Sequence, residues 1–290
     1  MNPLKFGIPK GSLEQTTQEL LKKSGWRISN SSRSYFPSID DEEITCSLMR
    51  PQEMSRYVEL GVLDCGITGK DWTLENGSDV DVICDLVYSK ASFRPTRWVL
   101  AVPADSKVKK PRELEGKRVV TELVRFTRSY FTEKNIKVSV EFSWGATEAK
   151  VASGLCDAIV EVTETGSTLR ANGLKIIQDL MQSNPQLIAN REALRDKRKR
   201  AKIDQIALMM QGALRAQAQV GIKFNVKQSG LNKVIKNLPS ITAPTVANLY
   251  GTDWVAVESV VPEVVVRDLI PKLVAAGAQG IIEYPLNKVI

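Results

Sequence analysis

Histidine is absent from all 290 residues. That excludes a Ser-His or Cys-His nucleophile pair. Four scattered cysteines (Cys46, Cys65, Cys84, Cys156) form no C-x-x-C pair, so the usual ligand sets of structural zinc are missing as well. Each cysteine sits in an apolar or strand-like run, where a free thiol behaves as a small buried hydrophobe. Long apolar runs are also missing, for no stretch approaches the roughly 18 residues of a membrane span. The N-terminal MNPLKFGIPKGS lacks the apolar core of a signal peptide and reads as the start of a folded strand. The expectation is a cytoplasmic protein without membrane contact. Any proton transfer must use carboxylates, Lys, Tyr or the substrate's own groups.

What is present is an ordinary globular composition, 43% hydrophobic and 25% charged, so the chain can bury a sizeable core. The net charge of +7 raises the question of nucleic acid. Much of the excess lies in one run, Arg195-Asp196-Lys197-Arg198-Lys199-Arg200-Ala201-Lys202, without interleaved aromatics and without a helix-turn-helix or zinc-finger pattern. A solvated helix start or an inter-domain connection fits that run better than a nucleic-acid face. A general attraction to anionic small molecules is the alternative.

Short apolar runs alternate with helical patterns from the start. Strands are expected at 5–9, 44–49, 64–68 and 80–86, with helices at 12–24 and 51–60 between them. This βαβα rhythm predicts a largely parallel sheet. A second α/β unit begins near Arg97, with strands at 98–103, 118–121, 138–142 and 157–162 and helices at 111–114, 125–134 and 147–153. A helix over 192–218 follows and carries the basic run. The texture then changes to β-α-β-β-α-β: strand 222–226, helix 229–238, strands 246–249 and 254–261, helix 264–276 and strand 280–284. That order is the split βαβ of ferredoxin-like domains.

One stretch concentrates hydrogen-bonding groups. In DAIVEVTETGSTLRANGL (157–174) an apolar strand empties into Thr163, Glu164, Thr165, Gly166, Ser167 and Thr168 before a helix begins. Helix-terminal N–H groups with hydroxyl donors form an anion cradle, and phosphate is the natural guest. An ordinary capped turn is the competing reading. Glu161, at the strand's end, could accept hydrogen bonds from a neutral diol such as ribose hydroxyls. Lys10-Gly11-Ser12 after the first strand, Arg50 after the second, Thr68-Gly69-Lys70-Asp71 after the third, and Arg125 with Arg128 after a later one repeat the arrangement. Each is a weak signal alone, since a helix cap or a surface charge explains it. All fall where α/β sheets bind ligands, at or just beyond the carboxyl ends of strands. Their agreement points to a cleft for a polyanionic ligand.

These residues carry a family resemblance. IPKGSL (8–13), LMRPQEM (48–54), DCGITGKDW (64–72) and DAIVEVTETGSTLRANGL (157–174) resemble the long-form ATP phosphoribosyltransferases of histidine biosynthesis. PTV (244–246), DWVAV (253–257) and GAQGII (277–282) resemble that family's regulatory domain. The resemblance spans essentially the whole chain. It implies a two-lobed, periplasmic-binding-protein-like catalytic region and a C-terminal ferredoxin-like regulatory domain. Lobe I would be 1–96 with a return segment 186–212, lobe II 97–185, and the regulatory domain 213–290.

It also implies that ATP and phosphoribosyl pyrophosphate (PRPP), with Mg2+, give N1-(5-phosphoribosyl)-ATP and pyrophosphate. Glu161 would contact the PRPP ribose, residues 163–168 (Thr163, Glu164, Thr165, Gly166, Ser167, Thr168) would hold its 5′-phosphate, and Lys10, Gly11, Arg50 and Asp71 would line the nucleotide cleft. Lys10, Arg50 and Glu161 would be the catalytic set. Charge stabilisation of departing pyrophosphate needs no base, so the missing histidine is no obstacle. Histidine would inhibit through Asn225, Ile241, Thr245, Val260 and Gly280, in a homo-oligomer between dimer and hexamer. Metal ligands are not implied. Two positions depart from the family's common pattern: Ser12 stands where arginine is usual, and Glu161 where aspartate is frequent. The competing readings are a two-lobed solute-binding protein and a nucleic-acid-binding regulator using 195–202.

Overall fold

The computed structural model describes every residue except 1, 30–33, 89–94, 146 and 242. The chain opens with β1 (Leu4–Pro9), α1 (Glu14–Ser24), the short antiparallel pair β2 (Ile28–Ser29) and β3 (Ser38–Ile39), β4 (Ile44–Met49), α2 (Pro51–Glu59), β5 (Cys65–Gly69), α3 (Lys70–Asn76) and β6 (Asp81–Asp85). It continues through β7 (Thr96–Pro103), β8 (Arg118–Thr121), α4 (Val124–Glu133), β9 (Ser139–Phe142), α5 (Thr147–Ala152), β10 (Ala158–Thr163), α6 (Ser167–Ala171), β11 (Leu174–Ser183) and β12 (Pro185–Ala189). The last stretch is α7 (Arg191–Arg195), α8 (Lys197–Ala216), β13 (Gln219–Lys227), α9 (Leu231–Ile235), β14 (Thr245–Asn248), β15 (Trp254–Pro262), α10 (Glu263–Ala275) and β16 (Gln279–Pro285). Among the described residues no helix is long and apolar enough to cross a membrane.

By internal contacts the chain forms two units, residues 1–19 with 26–207, and residues 20–25 with 208–290. The first holds two five-stranded sheets, ordered β4-β1-β5-β12-β6 and β11-β7-β10-β8-β9. In each, the middle strands are buried on both faces and therefore read as unbroken apolar runs. In β7, Trp98, Leu100 and Val102 join the core on one face of the second sheet while Val99 and Ala101 join that on the other. Cys46, Cys65 and Cys156 are buried free thiols and Cys84 is half-buried; burial raises the pKa of each.

The sheets are mixed rather than largely parallel. β12 runs antiparallel to β5 and β6, and β7 runs antiparallel to β10 and β11. β11 and β12 were not legible as strands. Register shifts between Ile176 and Gln178 and between Asp179 and Met181 break the two-residue alternation of β11. The helix expected over 192–218 is also two helices. Asp196 sits extended between them (ψ 112°), and its carboxylate accepts the Arg198 and Lys199 N–H groups at 2.9 and 3.1 Å, capping α8.

The second unit carries the sheet β14-β15-β13-β16 with antiparallel neighbours. Its β-α-β-β-α-β chain order and this strand order make it ferredoxin-like. Alternation is clean: Val220, Ile222, Phe224 and Val226 of β13 enter the core with Val255, Val257 and Val261 of β15, while residues between them take the opposite face.

Candidate active site

Three sequence-predicted residues emerge together at the carboxyl edge of the first sheet. β1 and β4 are parallel with Pro9 opposite Met49, so Lys10 and Arg50 leave their strands side by side. The Lys10 N–H donates to the Met49 carbonyl at 2.7 Å. Gly11 follows at φ 102°, and a Cβ placed there would lie 3.8 Å from the Arg50 guanidinium. The Lys10 ammonium stands 3.9 Å above the centre of the Tyr35 ring. Pro51 at the first position of α2 fixes the turn that presents Arg50, and the Thr68 hydroxyl donates to the Pro51 carbonyl at 2.7 Å. The edge is thus a small basic shelf with one aromatic wall.

Asp71 is placed differently from the expectation. It is buried, with both carboxylate oxygens engaged: one accepts the Trp72 N–H at 2.9 Å, the other the Trp98 indole N–H at 2.7 Å. Burial raises its pKa, against these hydrogen bonds. Its own N–H donates to the Ser183 hydroxyl at 3.2 Å. Trp98 and Ser183 belong to the second sheet, so Asp71 is a bolt between the two sheets rather than an open ligand. Arg125 and Arg128 likewise have internal partners, the Asn76 and Val140 carbonyls at 3.0 Å each, and Glu75 accepts the Arg125 and Phe126 N–H groups at 2.9 Å. The basic run also finds partners: Lys199 bonds Asp64 at 2.8 Å, Lys202 bonds Asp41 at 3.2 Å and Glu43 at 2.6 Å, and Arg200 bonds Asp204 at 3.0 Å.

The bolt also brings the edges of the two sheets together. Trp98, whose indole N–H donates to Asp71, is the register partner of Val162, and Arg97 that of Thr163. The carboxyl end of β10 therefore lies on the side of the second sheet that Asp71 reaches.

There the hydroxyl loop folds on itself. Gly166 adopts φ 74°, a conformation costly to any residue with a Cβ. Its N–H donates to the Thr163 hydroxyl at 2.8 Å; the Ser167 N–H points to the Thr165 hydroxyl at 3.3 Å, and that hydroxyl donates to the Ser167 hydroxyl at 3.0 Å. These are local side-chain-to-backbone turns of the kind Ser and Thr form when no other acceptor is offered. An incoming anion can take the same N–H groups and release the hydroxyls as further donors.

Two guanidiniums border the loop. A Cβ on Gly166 would lie 3.1 Å from Arg170 and 3.8 Å from Arg97. Arg170 donates to the Thr165 carbonyl at 3.2 Å, and Arg97 grips both oxygens of Asp179 at 2.9 Å. Sequence reasoning missed Arg97, because only the pairing of β7 with β10 sets it opposite Thr163.

Glu161 is half-buried two residues before the end of the strand, opposite Val99. Burial pushes its carboxyl up to about 7, with Glu148 and Glu122 adding repulsion. The Val162 N–H, at 3.0 Å, and the Thr147 hydroxyl donate to it and pull the other way. Near neutral pH this acid stands between carboxylate and carboxylic acid.

In the second unit, Asn225 and Val260 lie on the sheet face away from the core, Asn225 opposite Ala256 and Val260 opposite Gly221. Thr245 joins them opposite Glu258. Gly280 bends β16 at φ 61°, and a Cβ there would lie 3.8 Å from the Asn225 amide nitrogen. Ile241 is exposed, in the connection before β14. Four of the five residues expected to contact an effector thus belong to one sheet.

Comparison with known proteins bears on both units. The family model described as ATP phosphoribosyltransferase matches residues 50–212, and that of its C-terminal domain matches 216–288. An ATP phosphoribosyltransferase of Solidesulfovibrio magneticus is 63% identical over 289 residues, covering 100% of this chain and 99% of that protein. One from Geotalea uraniireducens is 59% identical over the same length, with the same coverage. Among solved structures, a chain of the ATP phosphoribosyl transferase (HisG:HisZ) complex from Thermotoga maritima aligns at TM-score 0.62 and 28% identity, covering 72% of this chain and 98% of that one.

Proposed function

The chain belongs to the ATP phosphoribosyltransferase family, and from that premise we propose how its residues divide the work. The reaction is the first step of histidine biosynthesis, a pentosyl transfer that joins ATP to PRPP and releases pyrophosphate. The observation that carries our reading is the loop after β10, with Gly166 in the left-handed conformation and its N–H groups held by hydroxyls an anion can displace. In this reading residues Thr163–Thr168 take the PRPP 5′-phosphate, Glu161 accepts from the ribose hydroxyls, and Lys10, Gly11 and Arg50 hold phosphates at the facing edge. Asp71 supports the site from behind by fixing Trp98. Bond breaking at the anomeric carbon builds positive charge on the sugar and negative charge on departing pyrophosphate, which Lys10 and Arg50 are suited to neutralise. Residues 1–96 with 186–212 form one catalytic lobe and 97–185 the other.

Among the described residues no group of three or more Cys, Asp or Glu side chains is placed to hold a metal ion. Those described residues therefore offer no cage of their own for magnesium. In our reading Mg2+ arrives on the phosphate oxygens of the substrates, where it keeps much of its water shell. The C-terminal unit, residues 213–290, binds histidine as a feedback inhibitor within a cytoplasmic homo-oligomer between dimer and hexamer. The phosphate role is tested by Gly166→Ala with Thr168→Ala. The KM for PRPP should rise tenfold or more while the KM for ATP and the far-ultraviolet spectrum hold. Unchanged PRPP kinetics would refute it.

A further inference from the structure

The basic shelf of the first sheet carries an aromatic side chain that the assignment above leaves unused. In the order β4-β1-β5-β12-β6, β4 is an edge strand. A strap just before β3 lies along its outer side, where the Leu48 N–H donates to the Tyr35 carbonyl at 2.7 Å. Pro37 of this strap is buried. The Ser34 hydroxyl closes its turn, donating to the Phe36 carbonyl at 3.1 Å and accepting the Phe36 N–H at 3.0 Å. The Tyr35 backbone is therefore fixed near the carboxyl end of β4, while the residue itself stays exposed.

Lys10 comes to the ring from the other side. It leaves β1, the neighbour of β4, with its own N–H on the Met49 carbonyl at 2.7 Å. Its ammonium reaches past the end of β4 to stand 3.9 Å above the centre of the Tyr35 ring. In the order of the sheet, Arg50 leaves its strand between the two.

Such a contact suits a residue that must bind phosphate. A lysine is a compact charge on a flexible four-carbon stem, and confining it costs rotamer freedom. A carboxylate in the ring's place would confine it too, but would neutralise the charge and compete with the phosphate. A ring face attracts the ammonium through its quadrupole and carries no net charge. The three donors of an ammonium cannot all face the ring, so some stay open to a phosphate oxygen. This attraction belongs to the ring rather than to the phenol hydroxyl, so phenylalanine supplies it as well.

We propose that Tyr35 is a positioning residue for the transfer: its ring holds the Lys10 ammonium at the carboxyl edge, ready for the phosphate groups that ATP and PRPP bring. The proposal rests on the reading of Lys10 as a phosphate contact. Tyr35 itself touches neither substrate; it acts through the lysine alone.

The test uses the full chain and measures pyrophosphate release in four variants: Tyr35→Phe, Tyr35→Leu, Lys10→Met, and Tyr35→Leu combined with Lys10→Met. Tyr35→Leu should lower kcat/KM for PRPP about three- to fivefold, the range of an exposed cation–ring pair, while Tyr35→Phe stays within about twofold of the parent. Lys10→Met should lower it about tenfold or more. In the Lys10→Met background, Tyr35→Leu should cost nothing further, because no ammonium is left to hold. A ring that served only to pack the strap would instead cost the same in both backgrounds, and that result overturns the proposal. So does a Tyr35→Phe loss as large as that of Tyr35→Leu, or a Tyr35→Leu enzyme with parental kinetics beside an impaired Lys10→Met; the phosphate role of Lys10 survives both. A Lys10→Met enzyme with parental kinetics overturns the reading of Lys10 itself, so the two failures are distinct.

Discussion

Glu161 is the residue whose chemistry depends most on where the fold puts it. A glutamate in water is ionised at pH 7, but this one is held near its midpoint by burial. The sign of the stability effect follows from that raised pKa. The unfolded chain releases the proton near pH 4.5 and the folded chain only near 7. Stability therefore falls as pH rises between those values, by an amount on the order of 3 kcal/mol at most, and stays lower above them. Glu161→Gln removes the penalty, so at pH 8 the variant should unfold at higher temperature than the parent, while at pH 4.5 the two should converge. Its KM for PRPP should be raised and should lose the fall through pH 7, because an amide presents a single acceptor oxygen that does not titrate. A parent KM flat from pH 6 to 8 would contradict this. The sequence marked Glu161 and residues 163–168, because hydroxyls and a glycine after an apolar strand are local signals. It did not mark Trp98, Ser183 or Arg97, whose roles exist only once β11 and β10 are laid on either side of β7.

At the scale of elements, the basic run 195–202 shows how charge counted along a chain misleads about partners. Lys199 and Lys202 lie on α8, each with a side chain only 14% exposed, and each faces carboxylates from the first sheet's connections. Asp64 also accepts the Lys5 N–H at 2.8 Å, so the Lys199 pair ties helix and strand at one point. Removing one member of such a shielded pair strands the other, which typically costs about 3–5 kcal/mol. Lys199→Met should thus lower the midpoint of urea unfolding markedly, whereas Arg195→Met, from a fully surface pair, should leave it nearly unchanged. Equal effects would contradict the distinction. The pH dependence has two sides. Burial tends to lower the pKa of Lys202, but hydrogen bonds to Glu43 and Asp41 raise it overall, so its contribution is present below 10.5 and lost as pH rises through the raised value. Burial tends to raise the pKa of Asp41, but bonds from Trp26, the Glu43 N–H and Lys202 lower it overall, so its contribution is present above 3.8 and lost in acid. Most helices and strands were legible because each carries its own periodic pattern, but α3 was not read and α7 and α8 were run together. β11 was not legible, since its bulges reset the alternation before it could register.

At the scale of the whole molecule, the chain joins a transferase to a small sheet that the chemistry itself does not require. The ferredoxin-like unit exposes one sheet face, and on it Asn225, Thr245 and Val260 share a side with Gly280 nearby. A free amino acid offers an ammonium, a carboxylate and a side chain, and such a face offers backbone and amide partners for the first two. Gly280 stands at φ 61° with the Asn225 amide 3.8 Å from the position a Cβ would take. Gly280→Val would therefore both strain the strand and crowd Asn225. If histidine acts there, Gly280→Val and Asn225→Ala should each weaken inhibition tenfold or more while the uninhibited kcat and the KM for PRPP stay within twofold. That separation follows because an effector shifts an equilibrium only through its own differential contacts, and removing them removes its effect without touching the uninhibited enzyme. Inhibition that survives in both variants would place the effector elsewhere, the catalytic cleft first. Direct competition with PRPP would then distinguish the two sites, because an effector in the cleft raises the KM for PRPP and leaves kcat untouched.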